Sequence, residues 1–455
     1  MSHHKPDPNK SVNLTIDGIP VTVPEGTTIL DAARKANIHI PTLCDHPDLR
    51  VRAVCRLCVV ECDGRGKLAA ACANDVWEGV SIVTHNERID SIRKMIIELV
   101  LANHPQECLS CIRNTNCELQ SLAKQFGIRE TPFRRDDSDH KPPVTESKTL
   151  VRDMDKCVKC GRCVEVCQEV QAIGSINTAY RSIHYEISAP YGQALVNGAC
   201  VFCGHCAAVC PVGAIYEYDQ SAETWAALRD TERRRAVQIL PSLTAAFDAA
   251  LGLSAGTVNA GKLVTALKRL GFDTVFDAQF FEDAATGAEH TEVLNRINKG
   301  GKLPLISGYS DGCIKFVENA YPDLGAHLSP CKNPRQTFAA LIKTAESPTT
   351  AVSISVGIAD KFRRRQSPTD VDIVLSVNEL ARMFKLAGID FAALPETPFD
   401  RFTGTAPQAT PVAAPEPAVA GNYKTLTINN FAHALTVMDS IRAGTCDAAL
   451  VRIST

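Results

Sequence analysis

Apolar and polar positions alternate near the start of the chain. Val12-Asn-Leu-Thr-Ile16 and Ile19-Pro-Val-Thr-Val23 both carry a two-residue period. Asp17-Gly18 between them suits the two positive-φ positions of a type I′ turn, so the segment is predicted to be a β-hairpin. The period then lengthens over residues 27–37, where Leu30, Ala33 and Ile38 fall on one side of a helix. Thr244–Leu251 also reads as helix. Residues 403–421 carry no period; they are rich in proline and alanine and are predicted to be an extended tether. No run approaches about 18 consecutive apolar residues, and residues 1–10 hold no apolar stretch. The expectation is a cytoplasmic protein with neither a membrane span nor a secretory signal.

The chain has 455 residues, 45% hydrophobic and 22% charged, which fits about three ordinary globular domains at roughly 150 residues each. Its 48 basic and 51 acidic residues leave a net charge of -3, so nothing electrostatic points to a nucleic acid or a membrane surface. The unusual figure is 19 cysteines, sixteen of them before residue 211, of which fifteen fall into the spaced sets below and Cys62 does not. An odd number cannot pair completely, and tight C-x-x-C spacing without a signal sequence points to metal or redox cofactors in a reducing compartment.

Two runs repeat. Cys157-Val-Lys-Cys160-Gly-Arg-Cys163-Val-Glu-Val-Cys167 and Cys200-Val-Phe-Cys203-Gly-His-Cys206-Ala-Ala-Val-Cys210-Pro211 both read C-x2-C-x2-C-x3-C, the two-cluster bacterial ferredoxin spacing. Three cysteines on a tight loop can reach one cubane, while the fourth, expected to start a helix, points at the other. Cys157, Cys160, Cys163 and Cys210 are thus predicted to hold one [4Fe–4S] cluster, and Cys200, Cys203, Cys206 and Cys167 a second. Gln168 stands where a proline follows Cys210 in the second run. Upstream, His104, Cys108, Cys111 and Cys117 form H-x3-C-x2-C-x5-C, a third [4Fe–4S] candidate; a Cys3His zinc site shares that spacing. Cys44, Cys55, Cys58 and Cys72 form C-x10-C-x2-C-x13-C, with Cys62 a fifth thiol read as a spare. This arrangement resembles plant-type [2Fe–2S] ferredoxins, in which a β-grasp sheet and helix present the cysteine loop. One [2Fe–2S] and three [4Fe–4S] clusters would hold about 14 iron atoms. Cys62, Cys313, Cys331 and Cys446 remain unassigned.

The order of these sites resembles the N-terminal half of two related families, the large peripheral subunit of NADH:quinone oxidoreductase and the multi-cluster [FeFe]-hydrogenases. Residues 257–400 favour the second. Gly261 to Asp277, Lys315-Phe-Val-Glu-Asn-Ala-Tyr-Pro322 and Asp372-Ile-Val-Leu-Ser-Val-Asn-Glu-Leu-Ala-Arg382 resemble the hydrogenase catalytic domain. Its ligand motifs are altered. The motif T-S-C-C-P-x-W is replaced by Ser307-Gly-Tyr-Ser-Asp-Gly-Cys313, with Tyr309 and Ser310 at the cysteine positions. The motif M-P-C-x-x-K is replaced by Ser355-Val-Gly357-Ile-Ala-Asp360. Residues 424–446 resemble the strand and helix that lead to the last motif, and the sequence reaches Thr455 before its cysteines. No H-cluster is expected.

The predicted architecture is α+β and multidomain. It comprises a β-grasp [2Fe–2S] domain (11–86), a His/Cys3 segment (87–140), a bacterial two-cluster ferredoxin domain (145–220) and a degenerate α/β hydrogenase-like domain (230–402). A linker (403–421) and a remnant strand–helix (422–455) follow. The closest resemblance is to the hydrogenase-like subunit of electron-bifurcating transhydrogenases of the Stn type. It implies an electron-relay subunit without a catalytic site of its own, linking ferredoxin to NADH and NADP⁺ chemistry. No G-x-G-x-x-G run is present, so FMN and any second flavin are expected on partners: a flavin-bearing NADH-oxidising subunit and an NADPH-binding flavoprotein. Ferredoxin is the third expected partner, and heterotrimers are expected to form a higher oligomer. A relay for another enzyme, such as a formate dehydrogenase, and a non-catalytic cluster scaffold are the alternatives. The P-loop-like Gly256-Thr-Val-Asn-Ala-Gly261-Lys262 lacks the following hydroxyl and is read as chance.

Overall fold

In a computed structural model the described residues are 7, 10–63, 68–133, 141–308, 310–345, 348–362, 370–402 and 424–453. The expected tether at 403–421 and Tyr309 lie outside them. The chain forms two compact units, one made of residues 1–145, 151–193 and 205–216, the other of residues 146–150, 194–204 and 217–455.

The first unit opens with β1 (Ser11–Ile16) and β2 (Ile19–Pro24), antiparallel with Ile16 opposite Ile19. Asp17 and Gly18 take φ of 49° and 80°, the left-handed pair a type I′ turn demands. Helix α1 (Ile29–Lys35) starts where the Thr28 hydroxyl accepts from the Asp31 amide. It is shorter than the period suggested, because Asn37 turns left-handed at φ 58°. Strands β3 (Val59–Cys62), β4 (Leu68–Ala70) and β5 (Ser81–Val83) complete a mixed sheet ordered β2-β1-β5-β3-β4. Ile16, Ile29, Val60 and Ile82 are fully enclosed in its core. Cys62, opposite Ile82 in β3, is buried in the same core.

Helix α2 (Glu87–Ala102) follows, and its buried Arg93 donates to the carbonyls of Leu57 at 3.0 Å and Val59 at 2.8 Å, pinning the backbone on both sides of Cys58. Next comes α3 (Glu118–Gln125), then the short strands β6 (Val144–Glu146) and β7 (Leu150–Arg152) and the turn-length helix α4 (Arg162–Glu165). A wide helical turn at Val166–Val170 carries Cys167. The expectation that the fourth cysteine starts a helix is therefore corrected. Left-handed Gly161, at φ 80°, redirects the chain so that α4 begins before Cys163, and Cys167 lies in the turn after α4. Strands β8 (Asn177–Ala179) and β9 (Glu186–Ser188), helix α5 (His205–Ala208) and strand β10 (Ile215–Glu217) complete the cluster-bearing segment.

The second unit is α/β. After α6 (Ser221–Arg229), strands β11 (Arg234–Ile239), β12 (Thr274–Asp277), β14 (Thr349–Ser355) and β15 (Ile373–Ser376) form a parallel sheet ordered β12-β11-β14-β15. All seven residues of β14 are buried, as a strand covered on both faces must be. Helices α7 (Thr244–Leu251), α8 (Ala260–Leu270) and α12 (Val377–Leu386) contribute to a core that holds Phe247, Leu267 and Phe384. Helices α9 (Ala278–Lys299) and α11 (Pro334–Ala345) contribute Phe281 and Phe338 to another. A second parallel sheet, β13-β17-β16, is built from Leu305–Gly308, Leu450–Ile453 and Thr425–Ile428. Helices α10 (Asp311–Ala320) and α13 (Phe431–Arg442) accompany these strands. The C-terminal helix starts at the Asn430 cap and stops at Arg442, where Gly444 turns left-handed.

Candidate metal centres

Four thiols of the N-terminal sheet region meet on one loop system. Cys44, Cys58 and Cys72 are buried and Cys55 is half-buried; the Cys58 and Cys72 sulfurs lie 3.4 Å apart. A hydrogen bond with Cys44 draws the Cys55 thiol down to about 7, and one with Cys72 does the same for Cys58. Their partners Cys44 and Cys72 are pushed up, and Cys72 also feels Cys44 and Cys55. The turn around Cys55 needs left-handed backbone at Ala53 and Arg56, with φ of 54° and 58°. Such residues cost about 1–2 kcal/mol each, a strain typical of ligand-binding loops.

His104, Cys108, Cys111 and Cys117 line a cavity of about 380 Å³ together with Arg113 and Lys156. The other ring nitrogen of His104 hydrogen-bonds the Lys156 backbone, while the buried Nδ1 has no partner. Burial, then the Lys156 charge, hold the ring below the usual histidine range, so it stays neutral. A neutral ring with one nitrogen tied to the backbone and the other bare has the form of a metal ligand. Cys117 caps α3, where the amides of Leu119 and Gln120 favour its thiolate against a larger burial effect that raises the thiol. At Gly213 a Cβ would come within 2.8 Å of the Cys111 sulfur, so only glycine leaves that sulfur its space. A His/Cys3 donor set lining a cavity of this size fits an iron–sulfur cluster.

The two ferredoxin-like runs share one conformation. Lys159 and Phe202, at matching positions, have φ of 56° and 57°, and the following Gly161 and Gly204 have 80° and 84°. The Lys159 amide donates to Cys157 Sγ at 3.4 Å, and the Phe202 amide to Cys200 Sγ at 3.4 Å. Cys157, Cys160, Cys163 and Cys210 come together in the first unit. Burial raises Cys157 to about 11 and Cys160 to about 12, with Cys210 contributing to both. Cys163 is pushed up by burial and by Cys157, Cys160, Cys206 and Cys210. Of the other quartet, Cys167 and Cys206 belong to the first unit and Cys200 and Cys203 to the second. Cys167 Sγ accepts from the Ser175 amide at 3.3 Å. Among the described residues no three His, Cys, Asp or Glu side chains crowd around a single ion position.

Three arginines tie these loops together. Arg162, between Cys160 and Cys163, donates to the Asp45 carbonyl at 2.7 Å and to both oxygens of Glu118 at 2.6 and 2.8 Å. Asp45 follows Cys44 and Glu118 follows Cys117, so one buried guanidinium touches the neighbours of candidate ligands in three sites. Arg113 donates to the Cys210 and Ala207 carbonyls at 3.0 and 3.1 Å, and Arg52 pairs with Glu165 at 2.7 Å. Sequence reading missed all three. The usable signal was an arginine inside C-G-R-C with a carboxylate directly after Cys117.

The hydrogenase-like positions look different. Ser310 precedes α10, with its Oγ 3.3 Å from Cys313 Sγ. Burial pushes the Cys313 thiol to about 11. Asp360, at the motif's lysine position, accepts from Ser355 Oγ at 2.5 Å and pairs with buried Arg335 at 2.9 Å. The next residue, Lys361, is fully buried against Glu379 at 2.6 Å and Glu217 at 2.9 Å. Where the motif carries a lysine, this chain has a carboxylate neutralised by arginine.

Sequence comparison assigns each segment. Residues 9–87 match a 2Fe-2S iron-sulfur cluster binding domain, 93–132 the NADH-ubiquinone oxidoreductase-G iron-sulfur binding region and 153–219 a 4Fe-4S dicluster domain. Residues 233–441 match the iron only hydrogenase large subunit, C-terminal domain. The NADP-reducing hydrogenase subunit HndD of Solidesulfovibrio fructosivorans is 37% identical over 88% of this chain and 73% of its own length. Iron hydrogenase 1 of Clostridium pasteurianum is 32% identical over 86% of this chain and 71% of its own. The alpha subunit of the NADPH-Fe(3+) oxidoreductase of Geobacter sulfurreducens is 35% identical over 45% of this chain and 24% of its own. Among the described residues no helix is long and apolar enough to cross a membrane. Cysteine-rich iron–sulfur domains joined to a hydrogenase-type α/β domain, in the same order as in relatives matched over most of their length, place the chain in the iron-only hydrogenase large-subunit family.

Proposed function

We propose that this protein is the iron–sulfur relay subunit of a cytoplasmic electron-bifurcating complex that reduces NADP⁺ with NADH and reduced ferredoxin, and that it is not itself a hydrogenase. The proposed ligands are Cys44, Cys55, Cys58 and Cys72 for a [2Fe–2S] cluster, and His104, Cys108, Cys111 and Cys117 for a [4Fe–4S] cluster. Cys157, Cys160, Cys163 and Cys210 hold a second [4Fe–4S] cluster, and Cys200, Cys203, Cys206 and Cys167 a third. Bound clusters supply single-electron storage and transfer.

The chain's own residues supply the rest. Buried thiols and apolar neighbours exclude water, and the amides of Lys159 and Ser175 hydrogen-bond ligand sulfurs, a contact that tunes potential. The observation that carries the reading is the contrast within one chain. The N-terminal donor sets are whole, while Ser310 and Gly357 stand at hydrogenase ligand positions and Asp360 is locked to Arg335. The name of the relative HndD, an NADP-reducing hydrogenase subunit, supports the nicotinamide link. Flavin-bearing NADH-oxidising and NADPH-binding partners follow from the need to convert single electrons into hydride.

The test is an anaerobic assay of the purified complex. NADP⁺ reduction that requires both NADH and reduced ferredoxin, with no hydrogen formed, is the expected result. Hydrogen evolution from reduced ferredoxin would overturn the proposal.

A further inference from the structure

Within the second unit, the loop bearing Cys200 and Cys203 is built into the hydrogenase-like domain. Lys315, on α10, is buried and donates from Nζ to the carbonyls of Val196 and Cys200, both at 2.8 Å, with Leu195 at 3.5 Å. The same ammonium lies 5.4 Å from the Phe202 ring and 5.6 Å from the Phe362 ring, which stack on each other at 4.4 Å. Phe202 is the left-handed residue between Cys200 and Cys203, so its ring is part of the ligand loop itself. Glu146 accepts from the Leu195 amide at 3.0 Å at the start of the loop.

Contact is close enough that two positions have no room for a Cβ. A Cβ on Gly312, in α10, would fall 2.2 Å from the Val201 carbonyl oxygen. One on Gly204 would fall 2.4 Å from Ile358, the residue after Gly357. Three carbonyls and two ring faces converge on one ammonium, a set of partners chosen for a cation.

We propose that the hydrogenase-like domain now serves as the mount for one ferredoxin-type cluster, with Lys315 as a positioning residue that fixes the Cys200 backbone and places a positive charge beside that cluster. The charge favours the reduced form, which carries one more electron, and so raises the potential. This rests on the reading of Cys200 and Cys203 as cluster ligands.

The test compares Lys315→Met, which keeps length but not charge, with Lys315→Arg, both in the full chain within its complex. Redox titration followed by electron paramagnetic resonance reads every cluster separately. The wild-type complex must first show two ferredoxin-type [4Fe–4S] signals; a single one would refute the ligand reading rather than the role of Lys315. In K315M one signal is expected to need a more negative potential, with about a tenfold lower reduced-to-oxidised ratio at fixed potential, which is 59 mV for one electron. K315R should recover most of that change. Loss of that one signal alone, with four irons missing, supports the same role in stronger form. A third variant, Phe362→Leu, keeps the charge and removes one ring wall, so it should move the same signal less. Midpoints unchanged in K315M and in F362L would overturn the proposal.

Discussion

The cluster-bearing unit and the hydrogenase-like unit treat their candidate ligand positions in opposite ways. In the first, donors are left facing one another: His104 Nδ1 has no partner, Cys58 and Cys72 lie 3.4 Å apart, and left-handed residues hold the loops open. In the second, the corresponding positions are closed upon themselves. Asp360 is taken by Arg335 and Ser355, and Lys361 by Glu217 and Glu379. The fold around them is intact, with β14 wholly buried and Phe247, Phe281, Phe338 and Phe384 packed. A core sustained by apolar contacts does not depend on a site beside it, whereas a loop with strained backbone and bare donors needs a compensating partner.

Substitutions on either side put this difference to the test. The largest effect is expected from Cys163→Ala. Iron analysis of the full complex should find one [4Fe–4S] cluster missing and electron transfer reduced to background, with the remaining signals present. Full iron content would remove Cys163 from the ligand set.

Arg162→Met comes next. Arg162 is buried while Glu118 is half exposed, so losing its charged hydrogen bonds should cost about 1.5–3 kcal/mol of stability in the first unit, read by thermal unfolding. Cluster signals from more than one site should broaden, because Arg162 touches the neighbours of Cys44 and Cys117 as well as its own loop. A change confined to one signal would show that it does not link the sites.

His104→Cys should keep an iron centre and shift its midpoint downward, since a thiolate adds negative charge where a neutral ring stood. An unchanged midpoint would show that His104 is not a ligand. The smallest expected effect is none at all. Ser310→Cys with Gly357→Cys should leave hydrogen output at background, because the Asp360–Arg335 pair beside Gly357 remains closed. Measurable hydrogen would mean the domain still accepts a reactive centre.

Much of this was legible in the sequence because it depends on local rules. Asp17-Gly18 specified the hairpin turn, and the repeated cysteine spacing anticipated two loops whose backbone angles agree within a few degrees. The family resemblance, carried by short motifs such as Lys315 to Pro322, anticipated the α/β domain. What escaped depends on residues far apart in the chain. Arg162 meets Asp45 across 117 positions, and Lys315 meets Cys200 across 115. No periodicity encodes such pairs. Helix starts near the clusters were misplaced for a related reason: Gly161 at φ 80° sets where α4 begins, and its angle depends on the loop around it.

Mössbauer spectroscopy of the isotopically enriched complex, prepared without oxygen, counts every iron environment at once and so decides between a relay and a reactive centre. One [2Fe–2S] and three [4Fe–4S] clusters are predicted, one of the latter with a nitrogen ligand, and no further iron in the hydrogenase-like domain. A diiron signal with the low-spin character of a hydrogen-activating centre, or iron replaced by zinc in the cysteine loops, would contradict that prediction.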